Sequence, residues 1–279
     1  MMAVFAGLIA LLAGVSLARN AVWRDDIGLW QDAVGKIPFK ARAYNNLGFA
    51  YNTAGRYAEA AAVLTRAIGL QQDNVRGLVN RGLAWTMLRE YDRAIEDLTR
   101  AVELAPHLDR AFFDRGYAYH ETGRLAQAVA DYTRAIELNG SYVKAFGRRG
   151  LAYGEQGEYA RAAADLDRAL ALSPGDPGAH ANRGNARAAL GRPDLAMEDY
   201  DRALAIDPGH VNALINRGNL LLRTGKFDRA VEDYTRAIAL RPDLAVAYQN
   251  RSVAYGRMGR SDLAAGDRRT AGRLGTRSH

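Results

Sequence analysis

The stretch that decides the fold is Arg115 to Leu138, RGYAYHETGRLAQAVADYTRAIEL. Close copies lie on both sides of it. Gly48, Gly82, Gly116, Gly150, Gly184 and Gly218 stand 34 residues apart, and Ser252 holds the next place in the series. Two alanine series keep the same step without a break. One is Ala60, Ala94, Ala128, Ala162, Ala196, Ala230 and Ala264, and the other runs from Ala67 through Ala135 to Ala271. A turn glycine recurs at Gly55, Gly123, Gly157, Gly191, Gly225 and Gly259, with Arg89 as the exception. A fixed period of this length is the mark of a repeat array, in which each segment buries its apolar face against its neighbours. Seven repeats of 34 residues cover positions 41–278 of the 279.

Within the quoted stretch the apolar spacing is that of two helices. The first is predicted from about Ala111 to Glu121, with Phe112 and Tyr119 as large residues and Gly116 between them. The second is predicted over Leu125–Leu138, where Leu125, Ala128, Val129, Tyr132, Ala135 and Ile136 recur at i, i+3 and i+4. Gly123 can take the left-handed conformation that ends the first helix. Proline after the second helix, at Pro106, Pro174, Pro208 and Pro242, stops it and opens the next repeat. Small residues at the crossing let the two backbones approach closely.

The pattern resembles the tetratricopeptide repeat family, whose 34-residue helix–turn–helix signature is matched in the third repeat by Phe112, Gly116, Tyr119, Ala128, Tyr132 and Ala135. Gly140 stands where the signature has proline. The fifth repeat departs most, with His180 and Arg187 where aromatics are usual, and Pro193 opening its second helix. The resemblance implies an all-α fold. It would be a right-handed superhelical α-solenoid of seven helix–turn–helix repeats (41–74, 75–108, 109–142, 143–176, 177–210, 211–244 and 245–278), preceded by a half repeat and an apolar N-terminal helix.

Composition narrows the function. Apolar residues make up 48% and charged residues 25%, the balance of an ordinary folded protein. The absence of cysteine rules out disulfides, thiolate metal sites and a cysteine nucleophile. His107, His120, His180, His210 and His279 form no metal-ligand spacing and read as exposed loop or groove residues. No phosphate-binding loop or nucleophile-elbow motif occurs, and nearly every residue belongs to a repeat. We therefore expect no enzymatic activity, no cofactor, no metal and no small-molecule substrate. The net charge of +7 does not imply a nucleic-acid partner. Arginine recurs at Arg81, Arg115, Arg149, Arg183, Arg217 and Arg251 alongside Asp97, Asp131, Asp165, Asp199, Asp233 and Asp267, the pattern of a structural ion-pair ladder.

In the family the first helices line the concave face of the superhelix, and positions 2, 5, 6, 9 and 12 of each repeat point into it. Position 6 here is Asn46, Asn80, Asp114, Arg148, Asn182, Asn216 and Asn250. An amide both donates and accepts, so a column of amides can bind an extended peptide backbone without reading its side chains. The column resembles the asparagine ladder of O-linked N-acetylglucosamine transferase, although the same amides could instead bond neighbouring helices. Lys144 with Arg148 forms a basic pair like that of chaperone-binding repeats, from which Asp114, Val79 and Leu83 depart. Phe49, Phe113 and Tyr117 are candidates for contact with apolar ligand side chains. The expected partner is a protein or an extended peptide.

The ends are distinct. Residues 1–18, MMAVFAGLIALLAGVSLA, carry no charge. They can be read as a transmembrane anchor, a cleaved signal peptide or a buried cap helix, and the expectation taken is a single-pass membrane anchor. Residues 19–40 read as a partial repeat, with a helix from about Asp25 to Lys36. Arg19, Asn20, Trp23, Leu29, Trp30 and Pro38 resemble the juncture of protein-mannosyltransferase-like membrane proteins with C-terminal repeats. That resemblance implies a periplasmic side, whereas Arg19 and Arg24 after the apolar run point to the cytoplasm. The function expected is a membrane-tethered protein- or peptide-binding scaffold. The alternative is a substrate-recognition component of a protein O-glycosylation system, acting with a separate catalytic subunit.

Overall fold

The computed structural model describes residues 26–276. They form fifteen α-helices and no strand. Helix α1 (Asp26–Lys36) stands alone, and seven pairs follow. The first pairs are α2 (Ala41–Thr53) with α3 (Tyr57–Leu70), α4 (Val75–Met87) with α5 (Tyr91–Leu104), and α6 (Asp109–Glu121) with α7 (Leu125–Leu138). After them come α8 (Val143–Glu155) with α9 (Tyr159–Leu172), and α10 (Pro177–Ala189) with α11 (Pro193–Ile206). The last are α12 (Val211–Arg223) with α13 (Phe227–Leu240), and α14 (Ala245–Arg257) with α15 (Ser261–Gly275). The first helix of each pair begins 34 residues after the last one, as the glycine series requires. The chain packs as two compact units, one ending at Gly140 and the other beginning at Ser141.

Each pair closes on its small residues. A methyl group added at Gly48 would meet the Leu64 side chain, and one at Gly82 would lie 2.7 Å from Leu98 Cγ. At Gly184 and Gly218 the same methyl would lie 2.7 Å from the rings of Tyr200 and Tyr234. The seven crossing alanines, from Ala60 to Ala264, are at most 1% exposed. A larger residue at these places forces repacking, at about 1–3 kcal/mol. Helix α1 lays Ile27, Trp30 and Val34 against Leu47, Tyr51 and Leu64, so it acts as a half repeat covering the first pair.

The turns follow the series. Gly123 has φ of +73°, its N–H donates to His120 O, and the Arg124 N–H donates to Tyr119 O, which together close the helix end. Arg89 makes the same pair of bonds at φ of +62°, a conformation that costs a side-chain-bearing residue about 1–2 kcal/mol. Pro193 sits at the start of α11, where its missing N–H leaves no helical bond unmade.

One expectation is corrected. The sequence reading placed a single-pass membrane anchor in residues 1–18, which lie outside the described residues. Among the described residues no helix is long and apolar enough to cross a membrane. None exceeds 15 residues, whereas a span needs about 20 apolar ones. The membrane-anchored localisation is therefore not retained. Arg19, Asn20 and Trp23 also lie outside the described residues.

Candidate functional site

The arginine and aspartate series meet inside the second to the seventh pair, while the first has Leu47 and Val63 at these positions. Arg81 grips Asp97 with two hydrogen bonds of 2.7 and 2.8 Å, and Arg115 grips Asp131 with two of 2.8 Å. Arg149 with Asp165, Arg217 with Asp233 and Arg251 with Asp267 repeat the fork, and Asp199 Oδ1 accepts from both Nε and a terminal nitrogen of Arg183, with Nε shared to Oδ2. The third guanidinium nitrogen reaches back one repeat. Arg81 and Arg115 find the hydroxyls of Thr65 and Thr99, whereas Arg183 and Arg217 find the carboxylates of Asp167 and Asp201. Aromatic rings flank several of these arginines. Arg115 lies over Phe112 and Tyr119, Arg149 over Phe146 and Tyr153, and Arg251 over Tyr248 and Tyr255, all within 6 Å. The hydrogen bond to Asp233 keeps Arg217 firmly charged, raising its pKa. The recurrent basic charge at this position is thus internal structure.

The fifth repeat replaces the flanking rings with His180 and Arg187. Arg187 adds a bond of 2.9 Å to Asp199, which is 2% exposed and already holds Arg183. His180 is 8% exposed, with Nε2 3.1 Å from Pro174 O, so it is a core residue and not the exposed one expected. His210 likewise has a structural task, its Nδ1 accepting from the Ala213 N–H at the start of α12.

With the basic series absorbed, the first-helix faces carry the candidate site. In the N-terminal unit a cleft of about 600 Å³ opens along α2, α4 and α6. It gathers Asn46, Phe49 and Asn80 from the sequence expectation and adds Val75, Arg76, Val79, Leu108 and Arg110. Phe49 is 53% exposed, so part of its ring is open to a ligand at the cleft. Asp114 stands beside the cleft and accepts from Arg110 at 3.3 Å. Phe113 packs on Tyr132 at 5.7 Å between ring centres, and Tyr117 is half-buried. Neither Phe113 nor Tyr117 lines the cleft.

In the C-terminal unit a cleft of about 500 Å³ is lined by Asn182, Asn185, Asn212 and Asn216, with His210, Ile215 and Val246. Two asparagines at repeat position 9 link neighbouring repeats, Asn185 in the cleft and Asn219 outside its lining. Asn185 Oδ1 accepts from Tyr200 Oη at 2.8 Å and from Asn216 Nδ2 at 2.9 Å. Asn219 Oδ1 accepts from Tyr234 Oη and from Asn250 Nδ2, both at 2.8 Å. Burial pushes both phenols up in pKa, and the neighbouring aspartates add to it, so each tyrosine stays a proton donor. Asn216 and Asn250 therefore tie adjacent repeats, yet each keeps one N–H and its carbonyl oxygen. The Asn182 side chain has no hydrogen bond among the described residues. Lys144 is exposed and Arg148 half-buried at the start of the unit. Among the described residues no cluster of His, Asp or Glu could hold a metal ion.

Sequence reasoning missed Asn185 and Asn219, because position 9 holds Phe49, Leu83, Tyr117 and Leu151 elsewhere. The signal was present in the partner position. Asn185 and Asn219 occur where the facing residue of the second helix is Tyr200 or Tyr234, whose hydroxyl needs an acceptor.

Known proteins agree with this architecture. Family models described as tetratricopeptide repeat match residues 41–74, 148–211 and 211–244, and a TPR repeat model matches 116–157. No curated protein matches the sequence. Among solved structures, the APC/C hetero-tetramer Cut9–Hcn1 is similar at 18% identity and a TM-score of 0.70, covering 81% of this chain and 45% of that one. Pseudomonas aeruginosa pilF is similar at 18% identity and a TM-score of 0.66, over 75% of this chain and 95% of that one. YrrB, a TPR protein with an unusual peptide-binding site, is similar at 21% identity and a TM-score of 0.57, over 66% of this chain and 95% of that one. At these identities the likeness is one of fold. The chain carries tetratricopeptide repeats, recognised across residues 41–74 and 116–244.

Proposed function

We propose that the protein is a non-catalytic scaffold that holds an extended polypeptide along the faces of its first helices. The observation that carries this reading is the set of amides left with bonding capacity at position 6. Asn46, Asn80 and Asn182 are free of side-chain partners among the described residues, and Asn216 keeps an N–H and its carbonyl oxygen. Amides spaced by a regular repeat suit a ligand that is itself periodic, and a peptide backbone offers alternating donors and acceptors. Tetratricopeptide repeat proteins typically bind proteins or peptides, and the peptide-binding site named for YrrB supports the same use of this fold. The alternative, recognition of substrates for a protein O-glycosylation system, rests on the juncture resemblance around Trp30 and Pro38 alone.

The test compares faces. A photoreactive residue is placed at Asn182 on a first helix or at Arg168 on the exposed side of a second helix. Crosslinking to polypeptide from Asn182 and not from Arg168 is expected. Equal or reversed labelling would contradict the proposal.

A further inference from the structure

The cleft of the N-terminal unit has a composition that the amide column does not explain. Its floor is apolar, from Phe49, Val79 and Leu108. Asn80 lines it at 5% exposure, and its side-chain amide bonds to no group among the described residues. An amide that lines the cleft in this way offers its N–H groups and carbonyl oxygen to a ligand. At the edge stand Arg76 and Arg110, both exposed. Arg110 is shared with Asp114, whereas the Arg76 guanidinium has no ion pair or hydrogen bond among the described residues. The cleft of the C-terminal unit, by contrast, has no Lys or Arg in its lining.

We infer that the Arg76 cleft is a subsite for a peptide segment in which an apolar side chain stands next to an acidic one. This rests on the peptide-scaffold reading above and adds what the ligand is. The apolar side chain would cover the Phe49 ring and remove both from water. Asn80 would bond the peptide group beside it. The carboxylate would meet Arg76, whose planar fork matches a carboxylate with two parallel bonds. One guanidinium is free while its neighbour is already shared with Asp114, so the local charge balances a single negative charge, that of Asp or Glu. Neutral polar segments leave Arg76 unmatched, and basic ones are repelled.

The sequence signal is the basic run at repeat position 2, Arg42, Arg76 and Arg110, which continues with Lys144 and gives way to Gly178, Asn212 and Val246. Charge reading is thereby confined to the early repeats, and the later ones offer amides.

The experiment selects peptides from a random display library, blocked at both termini, on the full chain. Enrichment of an apolar residue adjacent to Asp or Glu is expected. In a synthetic copy of a selected peptide, changing the acid to its amide is expected to weaken binding about tenfold or more. Arg76→Gln should weaken the acidic peptide by the same factor and leave the amide peptide unaffected, the coupling a double-mutant cycle detects. Equal affinity for acid and amide, or no coupling to Arg76, would overturn the inference. If the selected peptides also depend on Asn182 and Asn216, the scaffold reading survives that result. A requirement for a free C-terminal carboxylate in place of the acidic side chain would overturn the inference as well. Failure to select any peptide would overturn both readings.

Discussion

The two compact units are built from the same repeat and solve the same packing problem with different polar chemistry. In the N-terminal unit the reach-back bonds of Arg81 and Arg115 end on threonine hydroxyls, and position 9 offers Phe49 and Leu83. In the C-terminal unit Arg183 and Arg217 end on carboxylates while Arg251 again ends on a threonine hydroxyl, that of Thr235, and position 9 offers Asn185 and Asn219 between Leu151 and Val253. A fixed backbone period thus leaves the polar links between repeats open to variation. Where the crossing residue is leucine, no acceptor is needed and the face can be apolar. Where it is Tyr200 or Tyr234, the hydroxyl brings an amide with it, and the face becomes polar. In the fifth and sixth repeats the amide at position 9 thus goes with a tyrosine across the helix pair, whereas the third repeat, with Tyr132, keeps Tyr117 at that position.

The sharpest way to break the contrast is at Asp199. It is 2% exposed and holds both Arg183 and Arg187. Asp199→Ala leaves two half-buried cations without their main partner, and is expected to cost about 3–5 kcal/mol in the stability of the fifth repeat. Hydrogen exchange resolved to α10 and α11 reads this directly, because repeat arrays need not unfold as one unit. Protection unchanged in those helices would show the network to be dispensable.

A smaller effect is expected at the amide hubs. Asn219→Leu makes position 9 of the sixth repeat resemble that of the second. It removes the acceptor of the buried Tyr234 hydroxyl and the partner of Asn250, at about 1–3 kcal/mol. Adding Tyr234→Phe should recover most of that loss, measured by chemical denaturation, and the absence of recovery would break the link between the two positions. In the N-terminal unit, Arg89→Gly is expected to stabilise by about 1 kcal/mol, since it removes a side chain from a left-handed backbone position. A drop in melting temperature would contradict that. The least effect belongs to Asp201→Thr, which converts a charged reach-back into the neutral form seen at Thr65. Asp201 is half exposed, so the change is expected to stay below about 1 kcal/mol and to make stability less dependent on salt.

Much of this was legible in the sequence, and the reasons are physical. The 34-residue step located the helices. The second helix of the third repeat was expected at Leu125–Leu138 and is found there, and its first helix begins at Asp109, two residues before the expected Ala111. Fold is carried by glycines, alanines and turn positions that every repeat needs, so it repeats visibly. The polar links are carried by pairs, such as Asn45 with Asn74 or Asn52 with the Asn80 carbonyl, that occur once and leave no series. His180 read as exposed because histidine is polar, whereas its place in the repeat is a buried aromatic one. The position-6 amides were legible as a column. Their unequal bonding was not, because it depends on whether position 9 of the preceding repeat is an amide.

The most direct measurement is the affinity of one library-selected peptide for the wild-type chain and for the Asn182→Ala, Asn216→Ala double variant. These two amides line the same cleft of the C-terminal unit, and each contributes on the order of 0.5–1.5 kcal/mol if it bonds the ligand. A loss of about fivefold or more, with helix content by circular dichroism unchanged, is the expected result. Unchanged affinity would mean that the first-helix amides do not hold the peptide.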